Sequence, residues 1–234
     1  MINISFSWDD GSIYDVKLAK LMTKYGINAI FFIPNENWQH SFIKADIIKE
    51  IYDMGMEIGG HTVSHKYLTS INRNKIENEI KDNKEYLEDI VQKDIDIFCY
   101  PGGYYNKYIE NIVKMYYKKA RSAKTMRFSI QNKFTIDTSF HFYDRGIMSI
   151  LKNTMQNDRK EIITVLKAIK DNDTFNIYKN ILFFLCNKDD NYNIHIWGHG
   201  WEIENYNLWT KLEDFIKALK DNNFIIKSMS DIYL

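Results

Sequence analysis

The sequence has little that would punctuate or staple a chain. Among 234 residues there are two prolines, Pro34 and Pro101, and two cysteines, Cys99 and Cys186. Two cysteines make no disulfide framework. A chain this long buries about 70–75% of its unfolded surface and needs no such staples. No proline-rich linker, low-complexity tract or internal repeat divides it, so one domain over residues 1–234 is expected. Net charge is also missing, because 31 basic residues balance 31 acidic ones. That leaves no electrostatic footprint for nucleic acid or an anionic membrane. The longest apolar run, Ile181 to Cys186, is far short of the ~20 residues that cross a bilayer. The start, Met1-Ile2-Asn3-Ile4-Ser5-Phe6, has no basic segment followed by a long apolar one. It reads as a strand, and a cytoplasmic location is expected. Disorder is excluded by 45% hydrophobic and 15% aromatic residues.

What is present is an alternation of short apolar runs with amphipathic segments. Strands are expected over 2–8, 27–33, 56–59, 95–100, 193–197 and 224–228. Helices are expected over 13–25, 44–54, 72–92, 106–118, 158–171, 173–187 and 208–221. Ser12 with Asp15 has the form of a capping box opening the first helix, and Gly26 is a natural stop. Residues 120–150 read as short strands and loops. Strand–helix alternation implies βαβ units and a parallel sheet. Six or seven such pairs favour an α/β barrel, closed or nearly so, over a doubly wound open sheet. In a barrel the site lies at the C-terminal strand ends.

Four polar clusters fall at those ends. Asp9 and Asp10 precede Gly11, which breaks the first strand and lets both carboxylates turn to one pocket. Two adjacent acids repel unless a cation or proton separates them; as a plain alternative, Asp and Gly here cap a helix. His61 and His65 have i, i+4 spacing, which places both imidazoles on one side of a helical turn, within reach of one ion. Asp10, His61 and His65 thus make an oxygen and two nitrogens for a divalent metal with an open position for water. Asp9 is then free as the base. Phe98-Cys99-Tyr100-Pro101-Gly102-Gly103 is a strand-ending turn whose backbone N–H groups are candidates for an oxyanion. In His195-Ile196-Trp197-Gly198-His199-Gly200-Trp201-Glu202, alternation puts His195, Trp197 and His199 on one face. His199, nearest the strand end, is the candidate general acid. Trp197 and Trp201 either stack on a sugar ring or fill the core. Cys99 reads as a buried pocket wall, Cys186 as core, His141 as packing and His40 as an exposed loop residue.

With these clusters in order, the chain resembles the polysaccharide deacetylase family (NodB-homology, carbohydrate esterase family 4) from about residue 4 to 228. The family's T-F-D-D-G is Ser7-Trp8-Asp9-Asp10-Gly11, and its H-[ST]-x-x-H is His61-Thr62-Val63-Ser64-His65. The resemblance implies a distorted (β/α)7, TIM-like barrel. It makes Asp9 the base, Asp10, His61 and His65 the metal ligands, and His199 (in Trp197-Gly198-His199, for L-x-H) the acid. It implies removal of an N-acetyl group from an acetamido sugar such as an N-acetylglucosamine unit, with release of acetate. The cofactor expected is one divalent ion, zinc, with cobalt or nickel as substitutes. Substrate and oxyanion contacts are expected from Tyr100, Gly102, Gly103, Trp197 and Trp201.

The third motif departs from R-x-P-[YFW]. Cys99 stands where the family has an arginine that orients the base, and Gly102 stands at the aromatic position. Cysteine cannot supply a charged hydrogen bond to a carboxylate. Arg121 and Arg145 are the candidates to replace it, and Asp137 or Asp144 to pair with His199. Two other functions compete: an amide hydrolase acting on a cyclic ureide or imide, and a carbohydrate-binding protein without catalysis.

Overall fold

The computed structural model describes residues 2–37, 41–129 and 132–232; His40 lies outside them. The centre of the sheet is β1 (Ile2–Asp9). It pairs along its whole length with β7 (Tyr192–His199) on one edge. On its other edge it pairs with β2 (Ile30–Ile33) through Ser7–Asp9, and with β8 (Ile225–Ile226) through Asn3 and Ile4. Beyond β2 come β3 (Glu57–Gly60), β4 (Ile97–Cys99) and β5 (Lys119–Arg121). Beyond β7 comes β6 (Phe140–His141), and all pairings are parallel. The sheet curls into a half-barrel. Its two ends approach through residues 136–141: Ile136 bridges Arg121 on β5, and β6 then pairs with β7.

Alternation along the strands sorts the side chains into two layers. Ile4, Phe6 and Trp8 on β1 and Phe31 and Ile33 on β2 join a large cluster packed against the helices. Ile30, Phe32, Ile97, Cys99, Ile136 and Met229 form a separate small cluster inside the curled sheet. The interior is partly polar: His195 bonds Ser5 Oγ through Nδ1 and Ser7 Oγ through Nε2, both at 2.8 Å. Both faces of β1 are therefore buried, as expected of a parallel sheet covered by crossover helices.

Those helices are α1 (Asp15–Lys24), α2 (Ala45–Asp53), α3 (Arg73–Val91), α4 (Lys107–Tyr116), α5 (Gly146–Asn157), α6 (Ile162–Ala168), α7 (Thr174–Cys186), α8 (Gly200–Asn205), α9 (Trp209–Asp221) and α10 (Met229–Ile232). Three expectations change. The segment 158–171 is split: α5 ends before it, a single 3-10 turn follows, and α6 occupies only its middle. Ser12 and Asp15 form no capping box. Tyr14 occupies the N-cap position, and the Asp15 carboxyl is fully buried with no hydrogen-bond partner among the described residues. Cys186 is exposed at the end of α7, not core.

Candidate active site

A cleft of about 500 Å³ opens at the C-terminal ends of the strands. Asp9, Asp10, His61, His65, Trp197 and His199 line it, with Tyr67, Tyr100, Gly102, Tyr104, Arg145 and Trp201. β1 delivers both aspartates. The turn is made by Asp10 itself, at φ +82°, ahead of Gly11 at +65°. Both carboxylates end up 3% exposed. The Cβ of a residue at 11 would lie 2.4 Å from the Phe42 ring, so that glycine is sterically required.

His61 and His65 converge as the spacing suggests, but not on a helical turn. Residues 61–65 form a loop in which Thr62 and His65 adopt φ +70° and +53°. Left-handed backbone at a β-branched threonine is costly and must be held by its surroundings. α3 does the holding. Asn83 Oδ1 accepts the His61 backbone N–H at 2.7 Å, and Glu79 accepts the Ser64 N–H and hydroxyl at 2.9 and 2.7 Å.

Asp10 Oδ1 lies 2.9 Å from His65 Nε2 and 3.5 Å from His61 Nε2; Trp201 Nε1 donates to Oδ2 at 3.1 Å. Burial opposes the Asp10 charge, but His199, His61 and His65 hold its carboxyl well below the usual range. The three donor atoms lie within 4.8 Å of one another. His61 Nδ1 must donate to the Cys99 carbonyl at 2.8 Å, because a carbonyl only accepts. Its Nε2 therefore presents a lone pair to the Asp10 carboxylate unless a proton or a cation lies between them. A backbone partner fixing the outer ring nitrogen is the usual support of a metal-binding histidine. The donor set fits a divalent ion.

Asp9 is held from one side. Arg121 Nη2 donates to its Oδ2, while its Oδ1 is buried and has no hydrogen-bond partner among the described residues. Arg121 is 0% exposed and lies 5.1 and 5.0 Å from the ring centres of Phe32 and Trp197. Burial works against its charge, yet Asp9 raises its pKa. Cys99 Sγ sits 2.9 Å from Arg121 Nη2 and 3.7 Å from Asp9 Oδ2, and burial pushes its thiol well up. A neutral thiol in contact with a guanidinium is a spacer, not a nucleophile. Of the two candidate arginines, Arg121 reaches Asp9. Arg145 instead donates to His141 Nδ1 through Nε at 2.9 Å.

His199 is oriented by a residue that sequence reasoning gave no role. Its Nδ1 donates to Glu202 Oε2 at 2.6 Å, and His141 Nε2 donates to the same oxygen at 2.7 Å. Asp137 and Asp144 lie elsewhere, with Ser122 and with Thr174. Glu202 follows His199 by three residues, one helical turn on, which was the signal available. Burial lowers His141 to about 4, and Arg145 at Nδ1 fits a neutral ring. Burial acts the same way on His199, but Asp10 and Glu202 outweigh it and bring it up to about 9. Glu202, despite burial, is brought to about 2 by its two histidines. His199 Nε2 faces Asp10 Oδ2 at 3.7 Å.

The turn after β4 narrows the expected oxyanion donors. The Tyr100 N–H donates to the Arg121 carbonyl at 3.0 Å, and the Gly103 N–H donates to Tyr100 at 2.7 Å. Neither is available to an oxyanion. Gly102 and the buried Tyr100 still line the cleft. Trp197 is 6% exposed and stacks on His141 with centroids 4.2 Å apart; Trp201 stacks on His199 at 5.1 Å.

A sequence model of the polysaccharide deacetylase family matches residues 2–119. The chain belongs to the polysaccharide deacetylase family. It is 28% identical over 170 residues to a peptidoglycan-N-acetylglucosamine deacetylase of Bacillus cereus, covering 70% of this chain and 71% of that protein. It is 34% identical over 89 residues to a chitin deacetylase of Arthroderma benhamiae, covering 38% of this chain and 24% of that longer protein. Among solved structures, a family 4 acetyl xylan esterase from Clostridium thermocellum, in complex with a cobalt ion, superposes with a TM-score of 0.63 at 14% identity. That match covers 99% of this chain and 90% of the esterase. The family fold thus extends over the half-barrel beyond the residues that the sequence model reaches.

Proposed function

We propose that the protein is a metal-dependent N-deacetylase of acetamido sugars. The observation that carries this reading is the division of labour between the two aspartates. Asp10 shares a cleft floor with two imidazoles, while Asp9 is clamped at one oxygen by Arg121 and keeps the other free. Asp10, His61 and His65 would hold the ion, and zinc suits this donor set, with cobalt or nickel as substitutes. Such an ion supplies Lewis acidity, polarising the acetyl carbonyl and easing the ionisation of water.

The chain's own groups perform the proton transfers. Asp9 Oδ1 accepts a proton from the attacking water, and Arg121 keeps that carboxylate aimed. His199, oriented through Nδ1 by Glu202, gives a proton to the leaving amine. The C–N bond breaks, and acetate and a free amino sugar are the products. The likeness to a peptidoglycan-N-acetylglucosamine deacetylase of Bacillus cereus supports an N-acetylated glycan as the substrate class.

The test measures bound metal and acetate release from a panel of N-acetylated sugars, on wild type and His65→Ala. The reading expects about one ion per chain and acetate release, with both lost in the variant. Metal without acetate from any sugar would overturn the deacetylase assignment in favour of another amide substrate. Neither metal nor acetate would leave a carbohydrate-binding protein.

A further inference from the structure

The balanced charge of the whole chain conceals an uneven surface. From Arg159 to Lys170 the sequence holds four cations, Arg159, Lys160, Lys167 and Lys170, and one acid, Glu161. Glu161 is turned inward. It is 3% exposed, accepts from the Thr164 and Tyr192 hydroxyls at 2.8 and 3.0 Å, and pairs with Lys188. The flanking acids do not cover the stretch. Asp158 is buried and accepts the Phe128 N–H at 3.0 Å. Asp190 meets Lys160 at 3.7 Å at one end, and Asp171 follows Lys170 at the other.

The apolar side chains of this stretch are divided as well. Val165 and Ala168 are buried against the barrel, but Ile163 and Leu166 are 63% and 52% exposed and join neither core cluster. With Lys167 they stand at i, i+3 and i+4, so α6 turns one stripe of isoleucine, leucine and lysine outward. A surface helix ordinarily points its aliphatic stripe at the core. A groove of about 380 Å³ lies between α6 and α7, and Lys160, Lys167 and Lys188 line it together with Ile163 and Phe184.

Exposed aliphatic side chains among lysines match the boundary of an anionic bilayer, where acyl chains take the apolar groups and phosphates take the ammonium groups. A second copy suits this face poorly, because a two-fold contact would set the same cations against each other. We propose that α6 and the groove beside it form a peripheral docking face for an anionic lipid surface. Arg145 lines both the cleft and a depression that includes Asn172, two residues beyond Lys170. A chain lying on this face therefore keeps the mouth of its cleft beside the bilayer. The docking face stands whether or not the deacetylase reading holds.

The experiment floats the full chain with vesicles of phosphatidylcholine alone, and with vesicles that also carry about 30% phosphatidylglycerol. Binding is expected only to the anionic vesicles, and is expected to weaken as salt is raised. Each lysine beside such a surface is worth about five-fold, so Lys167→Ala with Lys170→Ala should weaken binding by about 20–30-fold. Ile163→Ser with Leu166→Ser should weaken it by about ten-fold or more at unchanged charge. Lys75→Ala with Lys81→Ala removes as much charge from α3 and should weaken it by less than about two-fold. All six residues are exposed, and thermal melts check that each variant folds. The proposal is overturned by no binding to anionic vesicles, by equal binding to both kinds, or by binding that survives either α6 double variant. An α3 variant as weak as the α6 lysine variant would overturn it too. A chain that instead self-associates, and becomes monomeric with the two serines, would assign the face to a second copy and not to lipid.

Discussion

Arg121 illustrates how much a single buried side chain can decide. Its partner is also buried, and removing one member of such a pair leaves an uncompensated charge, at a cost of about 3–5 kcal/mol. Arg121→Ala is therefore expected to lower the melting temperature. It is also expected to reduce kcat about 100-fold, because Asp9 loses its orientation. Free guanidinium added to the variant should restore part of kcat, since the vacated space matches that ion. Arg121→Lys should not recover it, because an ammonium lacks the planar fork. Asp15 gives a prediction of opposite sign. Burial, then the Asp10 charge, raises its carboxyl well above the usual carboxylate range, against a smaller opposing pull from His199 and the Ser12 backbone. The folded state then holds a proton that the unfolded chain releases, so stability falls as pH rises from about 4 towards the raised pKa. Asp15→Asn removes that slope. Thermal melts of the two proteins should coincide near pH 3.5 and separate, with the variant more stable, by pH 7.

These residues also show what a sequence conveys. Asp9, Asp10, His61 and His65 were legible because their spacing is local, and local spacing survives folding. The sequence narrows the partner of Asp9 to two arginines and no further, since Arg121 reaches it across the inside of the curled sheet from β5, 112 residues away. Glu202 is legible in principle, one turn after His199, but the family pattern points to an aspartate far off in sequence.

At the scale of elements, α3 is more than a solvated outer helix. Its buried face carries Asn83, which also donates to the Ile33 carbonyl at 3.0 Å and to Asn35 at 2.8 Å. Through these bonds the ends of β2 and β3 and the histidine loop are fixed to one another. Asn83→Ala is expected to cost about 1–3 kcal/mol by leaving buried groups unpaired. It should also weaken metal binding by about 10–100-fold, as loss of a supporting contact does. Equilibrium dialysis on the folded variant separates the two effects. The long strand–helix units here were readable from periodicity. α5 and α8 were not: α5 begins within a stretch that read as loop, and α8 is six residues long, too short to establish a period.

For the whole molecule, the cluster of Asp10, His61 and His65 ties β1 to β3, two strands apart in the sheet. An ion bound there favours the folded chain alone, and stabilises it by about 2.7 kcal/mol at a hundred times its Kd. Chelation is expected to lower the melting temperature and added zinc to restore it; a melt indifferent to both would count against the site. The route by which the sheet's ends meet has its own consequence. β5 is three residues long, and among the described residues backbone bonds of Ala120 and Ser122 with Lys133 and Ile136 join it to the far side. Arg121 lies in the middle of that seam. A stave of three residues thus carries the guanidinium that aims Asp9, so fraying there is expected to release Asp9 while the rest of the sheet still holds. Amide exchange should find Ala120 and Ser122 opening ahead of β1, and heat should extinguish activity some degrees before it melts the fold.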